Sequence, residues 1–326
     1  MQIIVNGLIL GSVYALIALG YTMVYGIIKL INFAHGDVYM MGAFMGYYFI
    51  NSLHMNFFVA LILSMAGCAL LGMAIEFLAY RPLRKSTKVA ALITAIGVSF
   101  LLENVMIYFV GSASRQFPSA IKVSKYAFAG VTITNVQLMI LVTAVILMVL
   151  LQLIVKKTKM GKAMRAVSVE ADAARLMGIN VDRTISFTFA LGSALAGAAG
   201  VLIGLYYGSI DPLMGMAPGL KAFVAAVLGG IGIIPGAALG GIVIGLLETV
   251  AQSLPGKLSW VAGYKDAVVY AVLIIILLIR PAGILGKNVK EKVEADEKKI
   301  KKKAHLGSDY CRCLCDPFSL NRRGHH

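Results

Sequence analysis

Few side chains in this chain can do chemistry in a nonpolar medium, so those that can stand out. The segment Gly26–Asp37 (GIIKLINFAHGD) sets Lys29, Asn32, His35 and Asp37 inside an otherwise apolar stretch. Glu103 and Glu248 interrupt two further apolar runs. Polar and ionisable groups at such depth line substrate or ion paths, relay protons, or pair with one another. Asn32 and His35 read in two ways, as path-lining groups or as a turn in which Asn32 caps the next helix. Asn104 beside Glu103 and Thr249 beside Glu248 offer interhelical hydrogen bonds, which favours structural roles for both glutamates. Glu76, five residues before Arg81, reads as half of an ion pair at the membrane surface. Asp211-Pro212 reads as an external turn, and Tyr206 and Tyr207 as belt or path residues. Nucleotide and covalent chemistry have no residues to work with. No G-x-x-x-x-G-K-[ST] occurs, because Gly161-Lys162 and Gly256-Lys257 lack the upstream glycine a phosphate-cradling loop needs. There is no H-E-x-x-H, no paired metal-ligand spacing and no nucleophile elbow in the apolar part.

A second cluster lies between two apolar runs, from Lys156 to Arg183 (KKTKMGKAMRAVSVEADAARLMGINVDR). Ala163, Val167, Ala171, Ala174 and Met177 recur at three- and four-residue steps, the period of one helix face. Gly178 supplies a helix stop. A short amphipathic helix of small residues, held at a membrane surface, suits docking of a soluble partner. Lys162, Arg165 and Arg175 can meet acidic groups of that partner or lipid headgroups.

These clusters sit in a chain that is 59% hydrophobic and 14% charged, with mean hydropathy +0.84. Soluble domains are about 45–50% apolar. Several runs reach the roughly 20 apolar residues that span a bilayer as a helix. The alternating ten-residue segments of a membrane β-barrel are absent. The expected fold is therefore all-α, a polytopic helical membrane protein with about 8–9 transmembrane segments, broken helices and a short cytoplasmic coupling helix. The 34 glycines suit closely packed membrane helices. Cys68 reads as a small buried hydrophobe. The N-terminus lacks a basic leader and a small-residue cleavage site and reads as mature structure.

Candidate spans are 3–27, 37–52, 57–79, 89–111, 136–155, 184–207, 218–234, 236–253 and 264–280. The net charge of +15 resides in a few loops, as the positive-inside rule expects, and does not argue for nucleic acid. The loops around Arg81, Arg84, Lys85 and Lys88, from Lys156 to Arg183, and from Lys287 to Lys303 go to the cytoplasm. Loop 112–135 goes outside, which gives nine crossings and an external N-terminus. If Gly26–Asp37 re-enters the membrane instead, the count falls and the N-terminus can lie inside. Residues 1–286 form the membrane domain, with its docking loop at about 160–180. Residues 287–326 form a charged tail. Its Cys311, Cys313 and Cys315, with His305, His325 and His326, match no common zinc spacing.

Segments 20–46 and 199–230 share an outline. Each has an apolar helix ending in Tyr-Gly (Tyr25-Gly26, Tyr207-Gly208), then an irregular polar stretch, then a Gly/Ala-rich helix. Paired interrupted segments in the two halves of a transporter point to its translocation site. The Gly229–Gly236 turn joins two short apolar segments, and Gly240, Gly241 and Gly245 give the second a smooth face.

GSVYALIALGYTMVYGIIKLINFAHGDVYMMGA (11–43), YRPLR (80–84), MGKAMRA (160–166), LMGIN (176–180), KAFVAAVLGGIGIIPGA (221–237) and RPAGILG (280–286) resemble the LivH-type permease of branched-chain amino acid ABC importers. The resemblance spans roughly residues 1–290 with its blocks in order. It implies a multi-pass subunit of the bacterial cytoplasmic (inner) membrane that moves branched-chain amino acids by alternating access. It implies two cytoplasmic ATPase subunits, a second homologous permease, identical or different, and an external binding protein. It implies no cofactor on this chain, with ATP and Mg on the ATPases, and membrane lipid as surroundings. The family's cytoplasmic loop reads Glu-Ala-Ala, three residues, Gly. Here it is Asp172-Ala173-Ala174, Arg175-Leu176-Met177, Gly178, a carboxylate one methylene shorter. Arg165, Asp172, Ala173, Ala174 and Gly178 are the expected ATPase-coupling residues. Tyr21, Asn32, His35, Gly36 and Tyr207 are the expected path residues. The alternative is an ion-coupled secondary transporter of small amino acids or amides, for which Glu103, Glu248 and His35 are the candidate ion sites. A passive channel would need a polar filter ring, and none is evident.

Overall fold

The computed structural model describes residues 1–84, 86–118, 124–128, 131–253, 264–280 and 282–286. The charged tail and its cysteines lie outside the described residues. Long apolar runs give the principal helices: α1 (Gln2–Ile28), α2 (His35–Asn51), α3 (Phe57–Ile75), α5 (Lys88–Val110), α6 (Asn135–Lys157), α9 (Val181–Tyr207), α10 (Met216–Gly229), α11 (Ile234–Gln252) and α12 (Lys265–Ile279). Each of the nine expected spans has its helix. Six helical segments are long and apolar enough to cross a membrane by themselves. α2, α10 and α12 are shorter, at 17, 14 and 15 residues.

Polar punctuation sets the ends. The Thr87 hydroxyl accepts from the Ala90 N–H at 3.3 Å to start α5. Thr134 and Gln137 form a capping box at α6. The Asn180 side chain accepts from the Arg183 N–H at 3.0 Å to start α9. α3 continues through a π-turn (Glu76–Tyr80) into α4 (Arg81–Leu83). Glu76 does not meet Arg81. It is fully buried, pairs with Arg84, and accepts from the Ser186 hydroxyl at 2.5 Å. Arg81 and Arg84 both reach Asp182, at 3.2 and 2.5 Å.

The two faces can be told apart. Gln2 exchanges hydrogen bonds with the Thr132 backbone, donating to its carbonyl at 3.0 Å and accepting from its N–H at 2.9 Å. The chain start thus shares a face with loop 112–135. The opposite face carries Lys29, Arg81, Arg84, Lys156, Lys157, Lys159, Lys162, Arg165, Arg175 and Arg183, and is the cytoplasmic one by the positive-inside rule. The described part is not purely helical. Strands β2 (Lys125–Phe128) and β3 (Val131–Thr134) form an antiparallel hairpin, and β1 (Arg115–Gln116) pairs with β4 (Ser209–Ile210). All four lie in the external loops, and the spans are helical, as expected.

α1 and α9 form the centre: 72% and 78% of their most apolar windows are buried, against 28–33% for α3, α5 and α6. α11 packs along α1, with Gly241 against Ala15 and Gly245 against Gly11, while Gly240 faces Ala225 of α10. The expected smooth face is thus shared between two neighbours. Cys68 is buried, as expected.

Where α1, α10, α11 and α12 converge, a charged group is enclosed. Lys221 is 4% exposed and Glu248 1%. Lys221 Nζ lies 2.8 Å from Glu248 and 2.7 Å from Asp266. The Tyr14 hydroxyl donates to Glu248 at 2.8 Å, and Lys265 lies 3.2 Å from it. Thr249, expected to bond between helices, instead donates to the Gly245 carbonyl of its own helix. Removing one member of such a group strands a buried charge. Lys221→Met is expected to lower stability by about 3 kcal/mol or more. Lys221→Met with Glu248→Gln should recover part of that, because no uncompensated carboxylate then faces Tyr14. Thermal unfolding in detergent checks this, and equal losses in single and double variants would contradict it.

Candidate translocation and coupling sites

The first interrupted segment breaks later than its Tyr-Gly pair suggests. α1 runs through Tyr25-Gly26 to Ile28, and Lys29 turns the chain in the left-handed region (φ 57°). Residues 29–34 then lead back into the protein. His35, the first residue of α2, lies against Gly20, about 12 Å up α1 from its end at 1.5 Å per residue. Segment 26–37 therefore re-enters, yet the crossing count does not fall, because α2 goes on to the outer face. The second segment breaks where expected, at Gly208 (φ 67°) after Tyr207. The chain then passes β4 and starts α10 at Met216.

These two restarts meet. A Cβ on Gly36 would stand 2.6 Å from the Gly215 carbonyl oxygen and 3.0 Å from the Gly219 Cα. Only glycine permits this approach. The helices leave the contact in opposite directions, α2 outward and α10 toward the cytoplasm. Beside the contact opens a cavity of about 230 Å³ lined by Tyr21, Phe33, Gly36, Asp37, Ser99, Phe100, Glu103 and Met216, among others. Its open side lies between α5 and α10, where Phe100 and Met216 are exposed.

The expected path residues divide. Tyr21 and Gly36 line the cavity. His35 does not. It is 1% exposed, edge-on to Tyr21 with ring centroids 4.7 Å apart, and its Nε2 has no hydrogen-bond partner. Asn32 is not the helix cap, since Ala34 holds that position. Its side chain accepts from the Tyr80 hydroxyl at 3.0 Å, which ties the re-entrant turn to the π-turn. Tyr207 stands half exposed at the outer end of α9, edge-on to Tyr206, and does not line the cavity. Asp211 caps its own turn, accepting from the Leu213 N–H at 3.0 Å.

Sequence reasoning missed two partners of buried acids, one of them at the cavity. The Ser99 hydroxyl donates to Asp37. Ser99 lies four residues before Glu103, so the two share a helix face, a spacing that could have flagged them. Lys221 was missed too, because a lone lysine near a glycine-rich stretch gives no local sign of partners on α11 and α12. Glu103, Glu248 and His35 do not form one network. They occupy three separate surroundings.

The docking segment folds as two helices, not one. α7 (Lys159–Val169) and α8 (Ala171–Leu176) are broken at Glu170 (φ −153°, ψ 110°). The buried face is Gly161, Met164, Val167 and Ala174 rather than the five-residue stripe expected, and Met177 is 83% exposed. Gly178 (φ 81°) ends the unit, as expected. Arg165 is exposed and borders a cavity of about 130 Å³ between α7 and the α1 end, shared with Met23, Gly26, Ile27 and Met164. Asp172 and Ala173 are exposed, with Arg175 3.8 Å from Asp172. The tip thus presents Leu176 (89% exposed) and Met177 beside a carboxylate, on helices anchored against α1 and α9.

The family described as the permease component of branched-chain amino acid transport systems matches residues 3–277. The high-affinity branched-chain amino acid transport permease LivH of Escherichia coli (strain K12) is 43% identical over 90% of this chain and 97% of its own length. LivH of Salmonella typhimurium is similar to the same extent. BraD of Pseudomonas aeruginosa, a permease of the same description, is 42% identical over 90% of this chain and 98% of its own length. With matches spread along nearly the whole membrane domain, the chain belongs to the family of branched-chain amino acid transport permeases, multi-pass proteins of the inner membrane.

Proposed function

We propose that this chain passes branched-chain amino acids through the cavity where α2 and α10 begin, and that ATPases bound at α8 drive the passage. The observation that carries the reading is the exposed apolar tip, Leu176 and Met177, on a helix pair anchored to the cytoplasmic face. Apolar side chains that protrude from a basic face into water are what a soluble partner covers. The chain has no phosphate-cradling loop of its own, so ATP and Mg belong to two partner ATPase subunits. An external binding protein delivers the substrate. A second permease covers the open side of the cavity between α5 and α10, because a cavity holding Asp37 and Glu103 is costly to leave against lipid.

The mechanical link is short. α7 packs on the cytoplasmic end of α1, and Tyr21 of the cavity lies one and a half helical turns above Gly26. A rigid-body push on α7–α8 is transmitted along α1 to the α2–α10 contact. Alternating access then amounts to tilting the two restarts about Gly36, with the cavity opening to one face at a time.

Two outcomes follow. Leu176→Asp with Met177→Asp should abolish co-purification with the cognate ATPase while leaving the melting temperature within the small range of surface changes, about 0.5 kcal/mol. Full retention of the ATPase by that variant would remove α8 as the docking element. Gly36→Leu should retain the ATPase yet stop ATP-driven leucine uptake in proteoliposomes, because its side chain drives into Gly215. Undiminished uptake would place the path elsewhere.

A further inference from the structure

The cavity has an unbalanced charge. Asp37 lines it, 2% exposed, in the first turn of α2, where the helix dipole favours an anion, and the Ser99 hydroxyl fixes its orientation. Glu103 lines it as well, 8% exposed, and among the described residues no hydrogen-bond or ion-pair partner meets its carboxylate. Among the described residues, no lysine, arginine or histidine lines the cavity. The contrast with Glu248 is direct, since that buried carboxylate has Tyr14, Lys221 and Lys265 around it. Two acids that share a hole at membrane depth must hold a proton or take up a positive group, and among the described residues no side chain supplies one there.

The walls say what kind of cation fits. Phe33, Ile96, Phe100, Met216 and Leu220 surround the acidic end with apolar surface. About 230 Å³ is far more than a bare metal ion fills, and no group of three metal-binding side chains occurs among the described residues. A positive group joined to a compact apolar body uses both parts. We infer that Asp37 and Glu103 bind the α-ammonium group of the transported amino acid, with Ser99 positioning Asp37 and the apolar walls enclosing the side chain. The inference rests on the proposed path and assigns the chemistry within it. The three ammonium N–H groups divide among the two carboxylates and the Tyr21 hydroxyl. The side chain points toward Phe100 and Leu220. The zwitterion brings no net charge, so the ammonium pairs with the two carboxylates while the substrate's own α-carboxylate is held away from them.

The test uses the complete transporter, with its partner permease, ATPases and binding protein, reconstituted in proteoliposomes. Uptake of labelled leucine is measured in sodium-free and in sodium-containing buffer. Glu103→Gln and Asp37→Asn, both isosteric, should each lower uptake about tenfold or more, the loss of one charge-assisted contact. Glu103→Asp should recover part of it, which a merely packing role would not produce. Co-purification of each variant with the ATPases separates a lost binding group from a misfolded subunit. Wild-type uptake in Glu103→Gln and Asp37→Asn would overturn the inference while leaving the path intact. A strict sodium requirement that disappears in the variants would also overturn it, because the carboxylates would then hold an inorganic ion. Failure of the unmodified complex to take up leucine with ATP would instead sink the proposed function.

Discussion

A backbone N–H or carbonyl stripped of water inside a bilayer costs several kcal/mol unless it finds a partner. Two chain segments leave helical geometry at that depth here, before His35 and before Met216, and the arrangement of the other helices follows from covering them. α1 supplies Gly20 and Tyr21 to bury His35. α9 and α3 close over α2, with Gly42 against Gly197 and Ser64 donating to the Gly42 carbonyl. Tyr80, placed by the π-turn, holds Asn32 of the re-entrant turn. The two restarts cover each other at Gly36, Gly215 and Gly219. A cavity beside such a junction is a consequence of geometry, since half-helices that start in mid-membrane leave space that no full-length helix fills.

How much was legible in the sequence depends on the reach of each signal. Apolar length and turn residues are local, so the nine spans, the Gly178 stop and the break at Gly208 could be read directly. The outline shared by segments 20–46 and 199–230 pointed to two regions the fold brings together, although nothing in either segment encodes their contact. The first break was misread because Gly26 in an α-helix costs only about 1 kcal/mol, which the burial of α1 overrides. The docking stripe failed for a related reason. A single helical period was imposed across Glu170, where the chain turns, so Met177 was assigned to a face it does not share. Partners separated by many residues were out of reach. Ser186 on Glu76, Ser99 on Asp37 and Lys221 on Glu248 each lie more than 25 residues away from the group they meet.

The buried acids are not equivalent, and that difference organises the electrostatics. Glu76 and Glu248 sit at opposite ends of the bundle and are ringed by cations and hydroxyls. They tie elements together: α3 to α4 and α9 in one case, and α1, α10, α11 and α12 in the other. Asp37 and Glu103 lie between, at a cavity, with one hydroxyl for the pair. Charge is neutralised where elements are tied together and left open at the cavity.

The enclosed position of Lys221 also bears on how the protein is made. α10 has 14 residues, about 21 Å of helix against a hydrocarbon core of about 30 Å. A lysine near the middle of a membrane helix opposes insertion by about 2.5–3.5 kcal/mol on its own. Its counter-charge, Glu248, emerges from the ribosome 27 residues later, and Asp266 later still. α10 therefore has neither the length nor the neutrality to enter lipid when it is first synthesised. Entry together with α11, as a hairpin, carries Lys221 and Glu248 in at once and spares α10 the cost of entering alone.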